Sequence, residues 1–331
     1  GGDVYARRDI RMGRYGGTGI YTISGGTLTV NNSSGRDNGY LVVGRDTEGS
    51  SATFNQSGGI VDALGVQLGR EADTAGTYNL SGGELRTPVI NAGSGTAQFH
   101  WSGGTIRPRT AGDLAISMPL TLVGASATFD SSDAGGAART ITVSSALGES
   151  GGAWGLAKQG EGTLTLNAAN TYTGTTDIFA GTLKLGPGGS IAASTTIAVA
   201  AGAAFDVADV SGGYAVAAGQ TLAGSGAVLG DAIVGNSAFL SPGSSVGTLT
   251  FQDQLTLAAG ATLDWEFINA DTARVTYDTI DGTNLYLPES GTLTLNITGL
   301  ATEAGYRLEA GDSFTLFDGD VYLGSTLLDA G

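Results

Sequence analysis

Within residues 156–186, LAKQGEGTLTLNAANTYTGTTDIFAGTLKLG, one short phrase is stated twice, and that doubling restricts the fold more than any other feature of the chain. Gly162-Thr163-Leu164-Thr165-Leu166 and Gly181-Thr182-Leu183-Lys184-Leu185 each place leucines at every second position behind a glycine. Alternation of period two is the pattern of a half-buried strand, and no segment of the chain carries convincing helical periodicity. The second strand, opened by Gly181, returns in the phase of the first, opened by Gly162, across the turn-rich Asn170-Thr171-Tyr172-Thr173-Gly174. So short a circuit predicts one rung of a coil built from short strands.

A second repeat, differently worded, fills residues 1–110. Tyr21 to Gly26, Phe54 to Gly59, Tyr78 to Gly83 and Phe99 to Gly104 share aromatic-x-x-Ser-Gly-Gly, with their serines at Ser24, Ser57, Ser81 and Ser102. Three of these units are preceded by apolar-x-apolar-Gly-Arg, ending at Arg14, Arg45 and Arg70. The glycines of that motif keep a near-constant offset from the serines, Gly13 ahead of Ser24, Gly44 ahead of Ser57 and Gly69 ahead of Ser81. Two corners are thus fixed while the remainder of each unit bulges outward. Glycine suits a corner because it takes positive φ without steric cost.

At residues 156–186 the chain resembles the autotransporter-associated beta-helix repeat of secreted and surface-displayed bacterial passenger proteins. Leu156, Lys158, Gly160, Gly162 through Leu166, Asn170 through Gly174, Thr176, Ala180 through Leu183, Leu185 and Gly186 match its phrase. Asn167-Ala168 stands for the family's Ser-Gly, Thr175 for Gly, Asp177 for Thr and Phe179 for Asn, so two turn glycines are missing. The resemblance implies a right-handed parallel β-helix outside the cytoplasm, and it implies no catalytic activity. Later turns, Ser241-Pro242-Gly243-Ser244-Ser245-Val246-Gly247-Thr248-Leu249 and Leu255 to Leu263, are similar to late passenger turns.

These patterns predict an all-β chain with four stretches. Residues 1–110 form rungs with the Ser-Gly-Gly repeat, 111–150 change rung style, 151–263 carry the passenger-type repeats, and 264–331 form a C-terminal β cap. The cap is expected from the aromatics Trp265, Phe267, Tyr277, Tyr286, Phe314, Phe317 and Tyr322, because an open solenoid end must hide its apolar rung and strand edges. The chain lacks cysteine, which removes disulfides and thiolate metal sites. Residues 1–25 lack the apolar core of a signal peptide, and the chain begins with Gly1; it reads as a processed or excised segment whose export signal and anchor lie elsewhere. Net charge is −16, of which residues 140–331 carry −15. That balance argues against nucleic acid and against insertion into an anionic membrane.

Candidate chemistry is sparse. The acids are scattered and mostly set in turns, which disfavours a catalytic carboxylate pair. His100 is the only histidine, and its place in an aromatic-x-x-Ser-Gly-Gly unit makes it structural. Asp318-Gly319-Asp320 and Asp281-Gly282-Thr283-Asn284 offer oxygen ligands for Ca²⁺, against the plainer reading as turns. Arg14, Arg45 and Arg70 are the most regular polar feature: stacked in register they would form a column able to grip an acidic polysaccharide, although pairing with acids such as Asp46 or Glu71 is the favoured reading. The phrase Gly-Asp-Val-Tyr occurs at both ends, through Asp3, Val4, Tyr5 and Asp320, Val321, Tyr322. It suggests either a shared cap wording or head-to-tail pairing of copies into a filament. The expected function is a structural bacterial surface or extracellular protein (stalk, adhesin passenger or fibre subunit), with surface glycans as candidate partners. The rivals are a glycan-binding or polysaccharide-cleaving β-helix protein and a surface-layer or matrix protein.

Overall fold

A computed structural model of the chain describes residues 2–33, 35, 38–46, 49–243, 246–271, 274–299, 316–323 and 326–329. Ser244 and Ser245 of the late turn and the cap aromatic Phe314 lie outside the described residues. The described residues form strands and turns with no helix, hence none long and apolar enough to cross a membrane. They fall into two compact units: Gly1–Gly174 with Gly181–Leu183 and Gly188–Ile191, and Thr175–Ala180 with Lys184–Pro187 and Ala192–Gly331.

In the first unit, period-two segments become strands that stack on the equivalent segments of the next circuit. One sheet runs Val4–Ala6, Thr18–Val30, Ser51–Ala63, Ala75–Arg86, Thr96–Arg107, Ala127–Asp130, Leu156–Gln159; the other runs Ile10–Met12, Tyr40–Val43, Gly65–Leu68, Val89–Ala92, Leu114–Ile116, Thr140–Val143, Thr163–Leu166. All these pairings are parallel, and strand-corner-strand circuits of this kind close right-handedly, giving a right-handed parallel β-helix whose sheets stay open. Inward side chains superpose rung on rung: Tyr21, Phe54, Tyr78 and Phe99 stack with ring centroids 5.2, 5.0 and 4.9 Å apart, close to the inter-strand spacing.

The Ser-Gly-Gly wording is a bend inside one long strand. Register slips at Ser24, Ser57 and Ser81, and the second glycine of all four units, Gly26, Gly59, Gly83 and Gly104, has φ between 69° and 81°. A Cβ at Gly59 would sit 2.6 Å from the Gly26 carbonyl oxygen, so the close stacking of bends excludes a side chain. Beyond residue 110 the bend opens into two separate strands. The first half of Thr96–Arg107 pairs with Leu120–Leu122 and its second half with Ala127–Asp130.

In the second unit one sheet runs Thr176–Ile178, Thr196–Val199, Thr221–Gly224, Phe239–Pro242, Thr262–Asp271, and the other Ala204–Asp206, Ala227–Leu229, Thr248–Leu257, Thr279–Leu287, Phe317–Leu323. Antiparallel partners join the parallel run near its end, Arg274–Tyr277 on Thr262–Asp271, which also pairs in parallel with Thr294–Gly299, and Thr326–Asp329 on Phe317–Leu323. Both reversals fall in the stretch whose aromatics suggest a cap. Trp265 is buried there, donates through Nε1 to the Asp278 carbonyl (2.6 Å) and packs against Tyr277 at 5.7 Å.

Candidate functional site

The arginines of the Gly-Arg corners occupy equivalent places on successive rungs of the first unit. Ile10, Leu41 and Val66 are in register, and the corner hydrogen bonds Arg45 N to Gly13 O and Arg70 N to Gly44 O carry that register through Gly13, Gly44 and Gly69 to Arg14, Arg45 and Arg70. All three corner glycines have positive φ, as the turn requires. The column is therefore present in the backbone, but its three members differ chemically.

Arg14 follows the pairing expectation: Nε donates to Asp46 Oδ2 at 2.8 Å, and its guanidinium lies 4.8 Å from the centroid of the Tyr15 ring. That hydrogen bond raises Arg14 above and lowers Asp46 below their ordinary values. Arg45 and Arg70 lean over the buried carboxylate of Asp9, with Arg11 beside them. The distances to Asp9 Oδ2 are 3.4 Å from Arg11, 3.7 Å from Arg45 and 4.0 Å from Arg70. The second contacts, Arg45 Nε to Asp46 at 3.6 Å and Arg70 Nε to Glu71 at 3.7 Å, are equally long. Arg11 Nη2 donates a hydrogen bond to Asp9 Oδ2, whereas the pairs of Arg45 and Arg70 attract at lengths too great for hydrogen bonds. Burial, then the positive charges of Arg11 and Arg70, pull Arg45 below its ordinary value against Glu71 and Asp46.

The backbone beside this column is unusual. Among the described residues four non-glycines have positive φ, and two of them follow column arginines: Tyr15 at 56° and Asp46 at 74°. Asp tolerates that region, whereas a bulky aromatic there is an outlier held by its surroundings. Tyr15 is also 78% exposed, so burial of its ring does not explain the strain.

A second charged array was missed at the sequence level. Asp62, Arg86, Arg107 and Asp130 are consecutive in register on the outer face. Arg107 pairs with Asp130 and, at 3.1 Å, with Glu84; Arg86 Nε donates to Glu84 at 2.9 Å; Arg109 pairs with Asp62. Burial opposes ionisation of Glu84, but the hydrogen bond from Arg86 and the charges of Arg86 and Arg107 hold its carboxyl below the usual value. The signal was available: Asp62, Arg86 and Arg107 follow Ser57, Ser81 and Ser102 of the motif at one constant offset. Missed too was Lys158, fully buried in register with Phe129, with Nζ donating to the Gly160 carbonyl at 2.7 Å and burial lowering it to about 8 against Asp130 and Glu161.

The remaining candidates resolve as follows. His100 sits in an outward ladder in which Asn79 Nδ2 donates to Asn55 Oδ1 (2.8 Å) and His100 Nδ1 meets Asn79 Oδ1 (3.0 Å). The two calcium candidates are neighbours, with Asp281 opposite Asp318 and Asn284 opposite Asp320, yet among the described residues no three acids or histidines gather as metal ligands. At the amino end, Asp3 accepts from Thr27 N (2.9 Å), Tyr5 bonds Asn31, and Val4 and Tyr5 are half exposed. At the other end Asp320, Val321 and Tyr322 lie in the strand Phe317–Leu323. Strand Phe317–Leu323 pairs with Thr279–Leu287 on one side and, through Val321, Tyr322 and Leu323, with Thr326–Asp329 on the other, and Tyr322 stacks on Tyr286 at 4.8 Å.

The family model described as the passenger-associated-transport-repeat matches residues 156–185. Over these residues the chain is similar to this repeat. Among curated proteins, the Adhesin BmaC autotransporter of Brucella suis biovar 1 (strain 1330) is 32% identical over 194 residues, covering 52% of this chain and 5% of that protein. The chain thus spans about one twentieth of that relative's length. No solved structure matches it. Within the passenger-associated-transport-repeat, the structure gives each hallmark residue a physical task. Asn170 turns inward, accepting from Leu147 N and donating to the Ala168 and Ser190 carbonyls at 2.9 to 3.0 Å, and Tyr172 is buried beside it in sequence. Thr182 N bonds the Gly162 carbonyl, and a Cβ on Gly181 would collide with that oxygen. Phe179, where the repeat has Asn, is 55% exposed, so that departure leaves the core untouched.

Proposed function

We propose that this chain is a length of surface-displayed bacterial passenger that holds a stack of rungs outside the cell, presents their outer faces for adhesion, and performs no catalysis. The observation that carries this reading is a passenger-associated-transport-repeat set in register within a parallel β-helix. Similarity over half the chain to an adhesin autotransporter supports the adhesive part. The pairing of Glu84 with Arg86 and Arg107 supports the non-catalytic part, because a carboxylate held ionised by guanidinium is a poor general acid near neutral pH.

Two measurements test it. Fused ahead of an outer-membrane translocator in a non-adherent bacterium, the chain is expected to be reached by antibody on intact cells and to raise their attachment to epithelial cells. Display without increased attachment would refute adhesion. Incubation with pectin, alginate and chondroitin-type polymers is expected to release no reducing ends above background, and turnover abolished by changing a single Asp would refute the absence of catalysis.

A further inference from the structure

One corner of the second unit is built unevenly. Asp177, Ala198 and Ala223 are in register, as are Ile178, Val199 and Gly224. The corner hydrogen bonds Ala200 N to Ile178 O and Ser225 N to Val199 O carry that register on to Phe179, Ala200 and Ser225. Equivalent positions on three rungs thus hold one large side chain and two small ones. At about 4.8 Å per rung, the small pair opens a step roughly 10 Å wide beside the phenyl ring. The step is a groove of about 290 Å³ whose lining includes Phe179, Asp177, Ala198, Ala200, Gly224 and Ser225. Phe179 is the one exposed aromatic ring of the second unit among the described residues, at 55%, and it stands where the repeat has Asn, so neither core packing nor the repeat accounts for it. Two polar groups of the groove have capacity to spare. Asp177 accepts from Thr175 Oγ1 through Oδ2 at 2.9 Å, which leaves Oδ1, like Ser225 Oγ, without a hydrogen bond among the described residues. Neither of these oxygens is closed off from solvent.

An apolar wall with a few placed oxygens is the usual anatomy of a small-molecule site, and this volume holds one small ring. A pyranose ring is the matching shape: C–H bonds on one face meet the negative face of an aromatic ring, and hydroxyls around its rim donate to oxygens such as Asp177 Oδ1 and Ser225 Oγ. Charge selects among sugars. Residues 140–331 carry −15, so an acidic sugar is repelled and a neutral one is not. The same charge opposes a second copy of the chain, and a two-rung groove offers far less than the roughly 800 Å² per partner that a stable protein interface buries. We propose that the groove beside Phe179 binds a neutral hexose of a surface glycan, with the phenyl ring as stacking platform and Asp177 and Ser225 as hydroxyl acceptors. This deepens the adhesive reading above and takes its biological setting from it, but binding in solution does not depend on display.

The probe is lactose, titrated against the intact chain and followed by saturation transfer from protein to ligand protons, with galacturonic acid and glucosamine as comparison arms. Saturable lactose binding in about the millimolar range is expected, little changed by salt and with transfer strongest to the C–H protons of one ring face. Phe179→Ala, at an exposed side chain, is expected to weaken binding about tenfold or more while leaving the thermal melt unchanged. Phe179→Trp, which keeps an aromatic face, should retain it. Ala200→Gln fills the step and leaves the phenyl ring in place, and it should abolish binding. Absence of saturable binding, or an unaffected Phe179→Ala, would overturn the proposal. Tighter binding of glucosamine or of galacturonic acid would overturn the assignment to a neutral sugar. If Ala200→Gln lowers the melt, Phe179→Ala with its Trp counterpart decides. Failure here with cells still displaying the chain and attaching would leave the adhesive reading standing and remove only this site.

Discussion

Removing one oxygen from the aromatic ladder tests how much its single buried polar pair contributes. Tyr78 lies fully buried between Phe54 and Phe99, and its hydroxyl donates to Gln56 Oε1 at 2.5 Å. Gln56 is equally buried and donates through Nε2 to the Glu84 carbonyl at 3.0 Å. Tyr78→Phe keeps the stacked ring and leaves Gln56 Oε1 in the core without that donor, which costs about 1–3 kcal/mol, more than the roughly 1 kcal/mol net value of an ordinary hydrogen bond. Combining it with Gln56→Leu replaces the pair with apolar groups, so the double variant should be less destabilised than the sum of the singles, with a coupling of about 1–2 kcal/mol. A repeat array need not unfold in one step, so the assay is amide hydrogen exchange resolved by strand over Ser51–Ala63 and Ala75–Arg86. The loss should be largest in these two strands and fade over the next rungs. A change in local opening free energy below about 0.5 kcal/mol for Tyr78→Phe, or strict additivity in the double variant, would refute the argument.

Gly162→Ala should destabilise the central repeat by several kcal/mol, on the order expected for forced overpacking, because its Cβ would meet the Arg139 and Ser131 carbonyl oxygens; a melt within about a degree of the parent would contradict the close stacking. Burial pushes the Asp278 carboxyl up to about 6, with Glu266 adding to the effect against the N–H donors of Glu266 and Gly247. The folded state therefore takes up this proton first, so stability near Thr262–Asp271 should rise as pH falls from about 7 to about 4, and Asp278→Asn should flatten the trend in exchange measurements. Asp133 in the first unit behaves oppositely. Chiefly the Arg139 pair holds it at about 2, so its contribution is complete above its ordinary value of 3.8 and is lost only as pH drops toward 2.

The strands, their inward faces and the corners were legible because they are local properties. Alternation sets which face of Thr163–Leu166 and Thr182–Leu185 is apolar, and glycine marks where φ must turn positive, as at Gly13, Gly44 and Gly69. The near-constant offset from glycine to serine fixed two corners of each circuit, and fixed corners imply register, so the arginine column could be foreseen. Its chemistry could not. Whether Arg14 meets Asp46, and whether Arg45 and Arg70 stop short of Asp9, depends on small differences in distance between side chains carried by separate circuits of the chain. The ladder from Asp62 to Asp130 and the pairing of Arg109 with Asp62, set on a distant circuit, are contacts of the same kind. Sequence alone determined that this chain coils and which residues line the coil, since periodicity acts on each residue and its next neighbours. Only the tertiary structure decided which charges are satisfied and which edges are closed, because both depend on the distance between atoms brought together by separate rungs.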